Sequence, residues 1–308
     1  MTKQLDPNRG KRESLEPEQS FGDRNGSDDE ELSVGVAPSS SNADAEVTGP
    51  LTNRLGLALS GGGFRATLYH LGVVRCLRDC GVLPKITHIT TVSGGSILGA
   101  HLVLNWDRYC GTPGHCDEAA AEVMRFTQLD VRNRIVRRFP FAAVANRVRS
   151  IFLLGPRRQW SRAGLLERYY ERFLYGDTAL SQLPEHPRLH ILSTNLSEGC
   201  LCSFNRNGLL IQRRVPGRRD RFERVQVGLA TVPMAVAASS CFPGFFPPLE
   251  LTGWDVGADV GEFDSQAFTD GGVYDNLGLR MFRCLEQSWV RHATPLHKND
   301  FLAIDEVM

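Results

Sequence analysis

The chain has 308 residues, with 35 Lys and Arg against 35 Asp and Glu, so its formal net charge is zero. That balance excludes a globally basic nucleic-acid binder and a wholly acidic, solvating chain, and a hydrophobic share of 42% supports a buried core. The zero is a sum of unlike parts: residues 1–50 carry five basic and eleven acidic residues, net −6, which leaves 30 basic and 24 acidic residues, net +6, for the other 258.

Residues 1–50 read as a disordered acidic tail. They are rich in Ser, Asn, Asp, Glu, Gly and Pro, and Phe21 is their only aromatic residue. Such a segment buries too little apolar surface to offset its ordering entropy. No apolar h-region follows Met1, and the segment is too acidic for an organelle transit peptide. Eight cysteines without a secretory signal then read as reduced thiols in a cytoplasmic protein. Cys110, His115 and Cys116 lie close together, but no second ligand pair follows at zinc-finger spacing.

The folded part, residues 51–308, starts with the apolar run Leu55–Leu59, a buried strand that enters the loop Ser60-Gly61-Gly62-Gly63. Leu68, Leu71, Val74 and Leu77 recur at three-residue steps and predict a helix over 66–80, stopped by Gly81. Ile86–Val92 is β-branched and predicts a second strand; Ser93-Gly94-Gly95-Ser96 is a turn, and 97–106 is a helix. Strand, glycine loop, helix, strand, sharp turn and helix in about fifty residues predict a parallel sheet with crossover helices. Residues 117–175 read as mostly helical. Strands follow at 188–194, 200–205, 208–213 and 267–269, helices at 229–240 and 277–288, and a last apolar strand at 301–304. The alternation in Cys200-Leu201-Cys202 places both thiols on one face, as packing. Residues 228–249 contain no charge over 22 positions, enough to cross a bilayer, but Pro243, Pro247 and Pro248 break any spanning helix.

Three short motifs carry chemistry. Ser93 between a strand and a helix, followed by glycines, resembles a nucleophile elbow, in which a tight turn lifts the hydroxyl to the sheet edge beside a helix N-terminus. The three glycines 61–63 leave backbone N–H groups open to an anion. No Gly-Lys-Ser/Thr follows them, which excludes a Walker loop. Asp270 ends a short strand ahead of Gly271-Gly272, a pattern that also suits a plain turn.

Together, Gly61-Gly62-Gly63-Phe64-Arg65, Ser93-Gly94-Gly95 and Asp270-Gly271-Gly272 resemble the patatin-like phospholipases, relatives of the cytosolic phospholipase A catalytic domain. Residues 237–248, from Ala237-Ala238-Ser239-Ser240 to Phe246-Pro247-Pro248, and Tyr274-Asp275-Asn276-Leu277-Gly278 extend the likeness to roughly residues 55–305. The resemblance implies an α/β three-layer sandwich with a mostly parallel central sheet. It implies a catalytic dyad of Ser93 and Asp270 without a triad histidine, and an oxyanion loop of Gly61, Gly62, Gly63 and Arg65 next to the elbow glycines Gly94 and Gly95. It further implies a serine-dependent lipid acyl hydrolase of phospholipase A, lysophospholipase or lipase type, with no metal or cofactor in the chemistry. Two positions depart from the family pattern. Thr91 stands at the elbow's first Gly, a replacement that some turns tolerate and that strains others, and Ser60 stands where many members have Asp, with no effect expected on the oxyanion donors.

The arginine-rich stretch Arg132, Arg134, Arg137, Arg138, Arg147, Arg149, Arg157 and Arg158 interleaves charge with apolar residues. It reads either as a cap over the site that meets an anionic membrane surface, or as helices packed on the sheet with a solvated face. A second cluster, Arg213, Arg214, Arg218, Arg219, Arg221 and Arg224, reads as a solvated hairpin or loop. The basic residues come without an aromatic platform or a nucleic-acid motif, so no nucleic-acid partner is expected. The end at Met308, just past an apolar strand, reads as a fragment or a shortened relative. The alternative to an enzyme is a catalytically incomplete relative that binds lipid or membrane.

Overall fold

The apolar run after residue 54 forms the first strand, β1 (Leu55–Leu59), of a computed structural model that describes residues 55–152, 158–213, 221–259, 261, 263–286 and 306–307. The expected tail at 1–50 and the strand expected at 301–304 lie outside those residues. The glycine loop winds directly into α1 (Gly63–Asp79), three residues earlier than the apolar periodicity implied. The helix stops at Cys80, and Gly81, at φ 67°, supplies the left-handed turn. β2 (Ile86–Val92) leads through Ser93 into α2 (Gly94–Leu104). α2 likewise starts three residues early, because the elbow glycines are its first turn.

Then come α3 (Trp106–Cys110), α4 (Pro113–Thr127), α5 (Val131–Ile151) and α6 (Arg162–Tyr170), the last continued by a π-helical turn, Glu171–Tyr175. Thr112 caps α4 and Ser161 caps α6, each accepting a backbone N–H three residues on. β3 (Arg188–Asn195), β4 (Cys200–Asn205), β5 (Gly208–Arg213) and β6 (Arg221–Val225) run back and forth beside one another. β5 and β6 pair antiparallel with Arg213 opposite Arg221, so the second arginine cluster takes the hairpin reading; residues 214–220 lie outside the described residues.

α7 is Val232–Ser240, three residues shorter at its start than expected, because Thr231 caps it and Pro233 fits only a first turn. β7 (Leu249–Leu251), which its three residues hide from pattern reading, is followed by α8 (Gly253–Val256), β8 (Gln266–Asp270), α9 (Gly272–Asp275), α10 (Leu279–Glu286) and β9 (Glu306–Val307). Among the described residues, no helix is long and apolar enough to cross a membrane.

The strands form one mixed sheet in the order β6-β5-β4-β3-β2-β1-β9, with β8 also on β3 and β7 on β8. β9, β1, β2 and β3 are parallel, while β4 to β6 and β7 to β8 pair antiparallel. Strand alternation divides the side chains between two cores. Leu57, Leu59, Ile89, Ile191, Cys200, Cys202 and Phe204 join α2 and α7 in the larger one; Val92, Leu192, Leu201 and Leu210 meet Met281, Phe282 and Leu285 of α10 in the smaller. Helices on both faces make the three-layer α/β sandwich. Cys200 and Cys202 share a face as packing residues, and burial pushes the Cys202 thiol far above its usual range.

Candidate active site

β2 and β8 approach one another end to end along a single edge of β3. β2 runs parallel to β3 and ends with Val92 paired to Leu192. β8 runs antiparallel to β3 and ends with Asp270 paired to Ser193, the next residue along. Two strands pointing at each other thus deliver Ser93 and Asp270 to the same place. Both are nearly buried, at 8% and 2% exposure.

Ser93 sits at φ 51° and ψ −116°, backbone that few non-glycine residues adopt. Such strain persists only when neighbours fix it. Here the Ser93 N–H donates to Ser239 Oγ at 3.0 Å, and Ser96 Oγ lies 2.8 Å from the same oxygen. Ser96 also donates to Thr91 Oγ1 at 3.1 Å, and Thr91 donates to His190 O at 3.3 Å. Thr91 therefore does not simply strain the turn. Its methyl faces Gly99, where a side chain would collide, and its hydroxyl closes the network under the elbow.

The glycines of the two loops interlock. A Cβ on Gly94 would lie 2.0 Å from Gly63 O, and one on Gly95 would lie 2.1 Å from Leu59 O. Only glycine allows that approach. Thr67 of α1 ties the loops together by donating to Gly94 O at 2.7 Å. Gly62, at φ 143°, and Gly63, at φ 61°, turn the chain into α1. The N–H groups at the starts of α1 and α2 have no helical acceptor, so those of Gly62, Gly63 and Gly94 are open to an anion. Gly61 is different: its N–H donates to Asn276 O at 2.9 Å, which anchors the loop. Arg65 is exposed on α1 and does not line the cavity beside Ser93. Ser60, at the other end of the loop, has its Oγ 3.2 Å from His70 Nε2.

Asp270 is held at both ends. Its N–H donates to Cys241 O, and the following Gly271 N–H donates to Ser239 O, both at 3.1 Å. Asp270 Oδ1 accepts the Gly272 N–H at 2.7 Å, while Oδ2 is buried and makes no full hydrogen bond among the described residues. Burial raises the carboxyl above its usual range; the neighbouring Ser93 hydroxyl and the Gly272 N–H oppose that rise.

Ser93, Gly62, Gly63, Gly94 and Asp270 all line one cavity of about 740 Å³. Its walls are largely apolar, with Phe64, Ile97, Val131, Leu166 and Phe246, and Phe242, Phe245 and Val273 are each about half exposed on its lining. That volume and lining suit an apolar chain ending at a polar corner. Tyr170, on the wall, is bonded to Ser240 Oγ at 2.9 Å. None of the six described histidines lines the cavity; His292 and His297 lie outside the described residues. Among the described residues, no group of three His, Cys, Asp or Glu side chains gathers at metal-binding spacing.

The supporting residues were not legible as such in the sequence. Ser239 stood in a quoted segment without a role, and Ser96 and Asn276 had none. Each acts through a contact far along the chain, 146 residues in the case of Ser239 and Ser93.

The arginine stretch divides. Arg134, Arg137, Arg138 and Arg147 are exposed on α5. Arg158 is not available to a surface partner: it pairs bidentately with the buried Glu167 and reaches Asp255 at 3.3 Å. Arg157 lies outside the described residues, as do the side chains of Arg132 and Arg149.

The family model described as Patatin-like phospholipase matches residues 57–283. No curated protein sequence matches. Among solved structures, human GIVD cytosolic phospholipase A2 is similar at 16% identity and TM-score 0.45, over 75% of this chain and 41% of that one. The same enzyme in complex with methyl gamma-linolenyl fluorophosphonate is similar at 17% and 0.42, over 61% and 29%. VipD from Legionella pneumophila is similar at 13% and 0.33, over 74% and 47%. The chain thus spans less than half the length of each.

Proposed function

This chain belongs to the patatin-like phospholipase family, and from that membership we propose that it is a lipid acyl hydrolase with Ser93 as nucleophile and Asp270 as general base. The observation that carries the reading is the convergence of two strand ends on one apolar cavity, which also receives the open N–H groups of two helices.

Asp270 takes the Ser93 proton as Oγ attacks the ester carbonyl, and the negative charge moves to the carbonyl oxygen. The N–H groups of Gly62, Gly63 and Gly94 face that oxygen, and each such donor lowers the barrier by about 3–4 kcal/mol. The ester C–O bond then breaks, and the leaving alcohol takes the proton from Asp270. Water attacks the acyl-serine, Asp270 takes its proton, and Ser93 leaves with that proton while the fatty acid departs. The Gly61 N–H is taken by Asn276 O, Gly95 lets its helix approach Leu59 O, and the Arg65 side chain lies in solvent away from the cavity.

The substrate is an ester with an acyl chain in the apolar cavity. The α5 helix has no acidic residue between Val131 and Ile151, and it exposes Phe141, Val144, Val148 and Ile151 beside its arginines. That mixture suits contact with anionic lipid, with apolar side chains entering the acyl layer, and the enzyme works at a membrane surface.

A serine-directed fluorophosphonate tests the reading. Wild type is labelled, Ser93→Ala is not, and lipid esters turn over only in the wild type. A folded wild type that takes no label overturns the hydrolase and leaves a lipid-binding relative.

A further inference from the structure

A second cavity, of about 800 Å³, lies between α5 and α6 with the π-helical turn. It takes Arg134 and Arg138 from α5, Arg168 from α6 and Arg172 from the turn. None of these four guanidiniums makes an ion pair among the described residues, although Glu171 and Asp177 also line the cavity. With Glu171 and Asp177 the ionisable lining sums to +2, and all four arginines are exposed, so the cavity presents a positive, solvent-facing surface to an anion. The arginines of one surface helix would spread over solvent; these converge from three elements.

The rest of the lining adds flat apolar surface. Trp160, Tyr169 and Phe173 contribute rings, and Tyr169 and Phe173 stack with centroids 5.8 Å apart. Arg138 lies over the Tyr169 ring at 5.8 Å and Arg172 over Phe173 at 5.5 Å, so the aromatic faces hold the guanidinium planes in position. Tyr169 is 5% exposed, and its hydroxyl is buried with no hydrogen-bond partner.

We infer that this cavity binds a phosphate monoester carrying a ring or short apolar group, whether as a soluble molecule or as a lipid headgroup. Guanidiniums match phosphate oxygens in paired, charge-assisted hydrogen bonds, and a cavity of this size exceeds a bare phosphate.

Position gives such a ligand a consequence. Leu165 and Tyr169 of α6 line this cavity, while their chain neighbours Leu166 and Tyr170 line the catalytic one. On α5, Arg134 lines the one and Val131 the other. An anion joining α5 to α6 therefore fixes a wall of the catalytic cavity.

The test uses the full chain as Ser93→Ala, so that its result is independent of ester hydrolysis. Phenyl phosphate and inorganic phosphate are titrated by calorimetry. Vesicles of phosphatidylcholine with phosphatidic acid are compared with phosphatidylserine vesicles of equal surface charge. Binding of phenyl phosphate is expected, weakened about tenfold or more by Arg168→Gln with Arg172→Gln, as for lost charge-assisted contacts. Arg125→Gln outside the cavity leaves it unchanged, and amide exchange in α5 slows with ligand. If the soluble compounds do not bind, but phosphatidic acid is preferred over phosphatidylserine in a manner lost in the double variant, the ligand is a lipid headgroup. The inference is overturned if soluble binding is the same in the double variant, or if nothing soluble binds and the two vesicles bind alike.

Discussion

Thr91 fits beneath Ser93 because Gly99 has no side chain: a Cβ at Gly99 would lie 2.2 Å from Thr91 Cγ2. The threonine that departs from the family's elbow is thus matched by a glycine one turn into the following helix. Both residues are fully buried between rigid elements. Gly99→Ala is expected to destabilise the protein by about 1–3 kcal/mol, as overpacking does. Adding Thr91→Ser, which removes the methyl and keeps the hydroxyl, recovers most of that loss. Denaturant melts of the two single variants and the double give the coupling.

On the proposed mechanism, Asp270 sets the acid limb of activity. The proposed general base must be ionised, and burial holds its carboxyl above the ordinary aspartate value of 3.8. Activity therefore rises through a pKa above that value as pH increases. Asp270→Asn is expected to lose about 10³-fold or more in kcat and to keep its fold. A pH profile of kcat/KM on a soluble ester checks the first point; an acid limb centred at or below 3.8 contradicts it.

Glycine positions separate into those a side chain would block and those it would help. Gly94→Ala drives a Cβ into Gly63 O and is expected to abolish turnover with a clear fall in stability. Gly72, exposed in the middle of α1, would meet nothing within 4 Å. Gly72→Ala should stabilise by roughly 0.5–1 kcal/mol, since glycine costs that much in a helix interior. Thermal melts of the pair should move in opposite directions.

Arg158 is a structural charge within the arginine stretch. Glu167 is 9% exposed, and burial raises its pKa against the pull of Arg158. Removing the arginine strands a buried carboxylate, so Arg158→Met is expected to cost about 3–5 kcal/mol. Arg137→Gln, on the exposed face of α5, should change stability by less than about 0.5 kcal/mol and instead weaken binding to anionic vesicles. If Arg158→Met melts like wild type, the pair is not what holds this corner.

Buried His190 makes the fold sensitive to acid. Burial lowers its pKa from 6.5 to about 3, with Arg188 and Arg224 adding to the fall. Its ring nitrogen Nδ1 lies 3.2 Å from Ser203 Oγ. The unfolded chain takes up a proton near pH 6.5 that the folded chain refuses, so stability from this group is present above 6.5 and lost progressively as pH falls towards 3. His190→Gln should flatten the dependence of Tm on pH in that window.

Much of the fold was legible because it rests on local pattern. The β-branched run at 86–92, the apolar run at 55–59 and the alternation at 200–205 each became the strand expected, since those patterns reflect burial on one or both faces. Helix starts were misjudged where glycine turns coil straight into helix, at Gly63 and Gly94. The short β7 escaped notice because pairing, not composition, makes it a strand, while β6 pairs with β5 as the arginine cluster's hairpin reading allowed.

By itself, the sequence determined the chemistry on offer: a serine in a glycine-flanked turn, an aspartate after a strand, and glycines able to open their N–H groups. Those are local properties, written in neighbouring residues. Only the tertiary structure decided which groups meet. It set β2 and β8 head to head on β3, gave the Gly61 N–H to Asn276 while leaving those of Gly62 and Gly63 open, left Arg65 in solvent and locked Arg158 to Glu167. Strand register and helix packing bring together residues more than a hundred positions apart, and no spacing along the chain records which pairs they select.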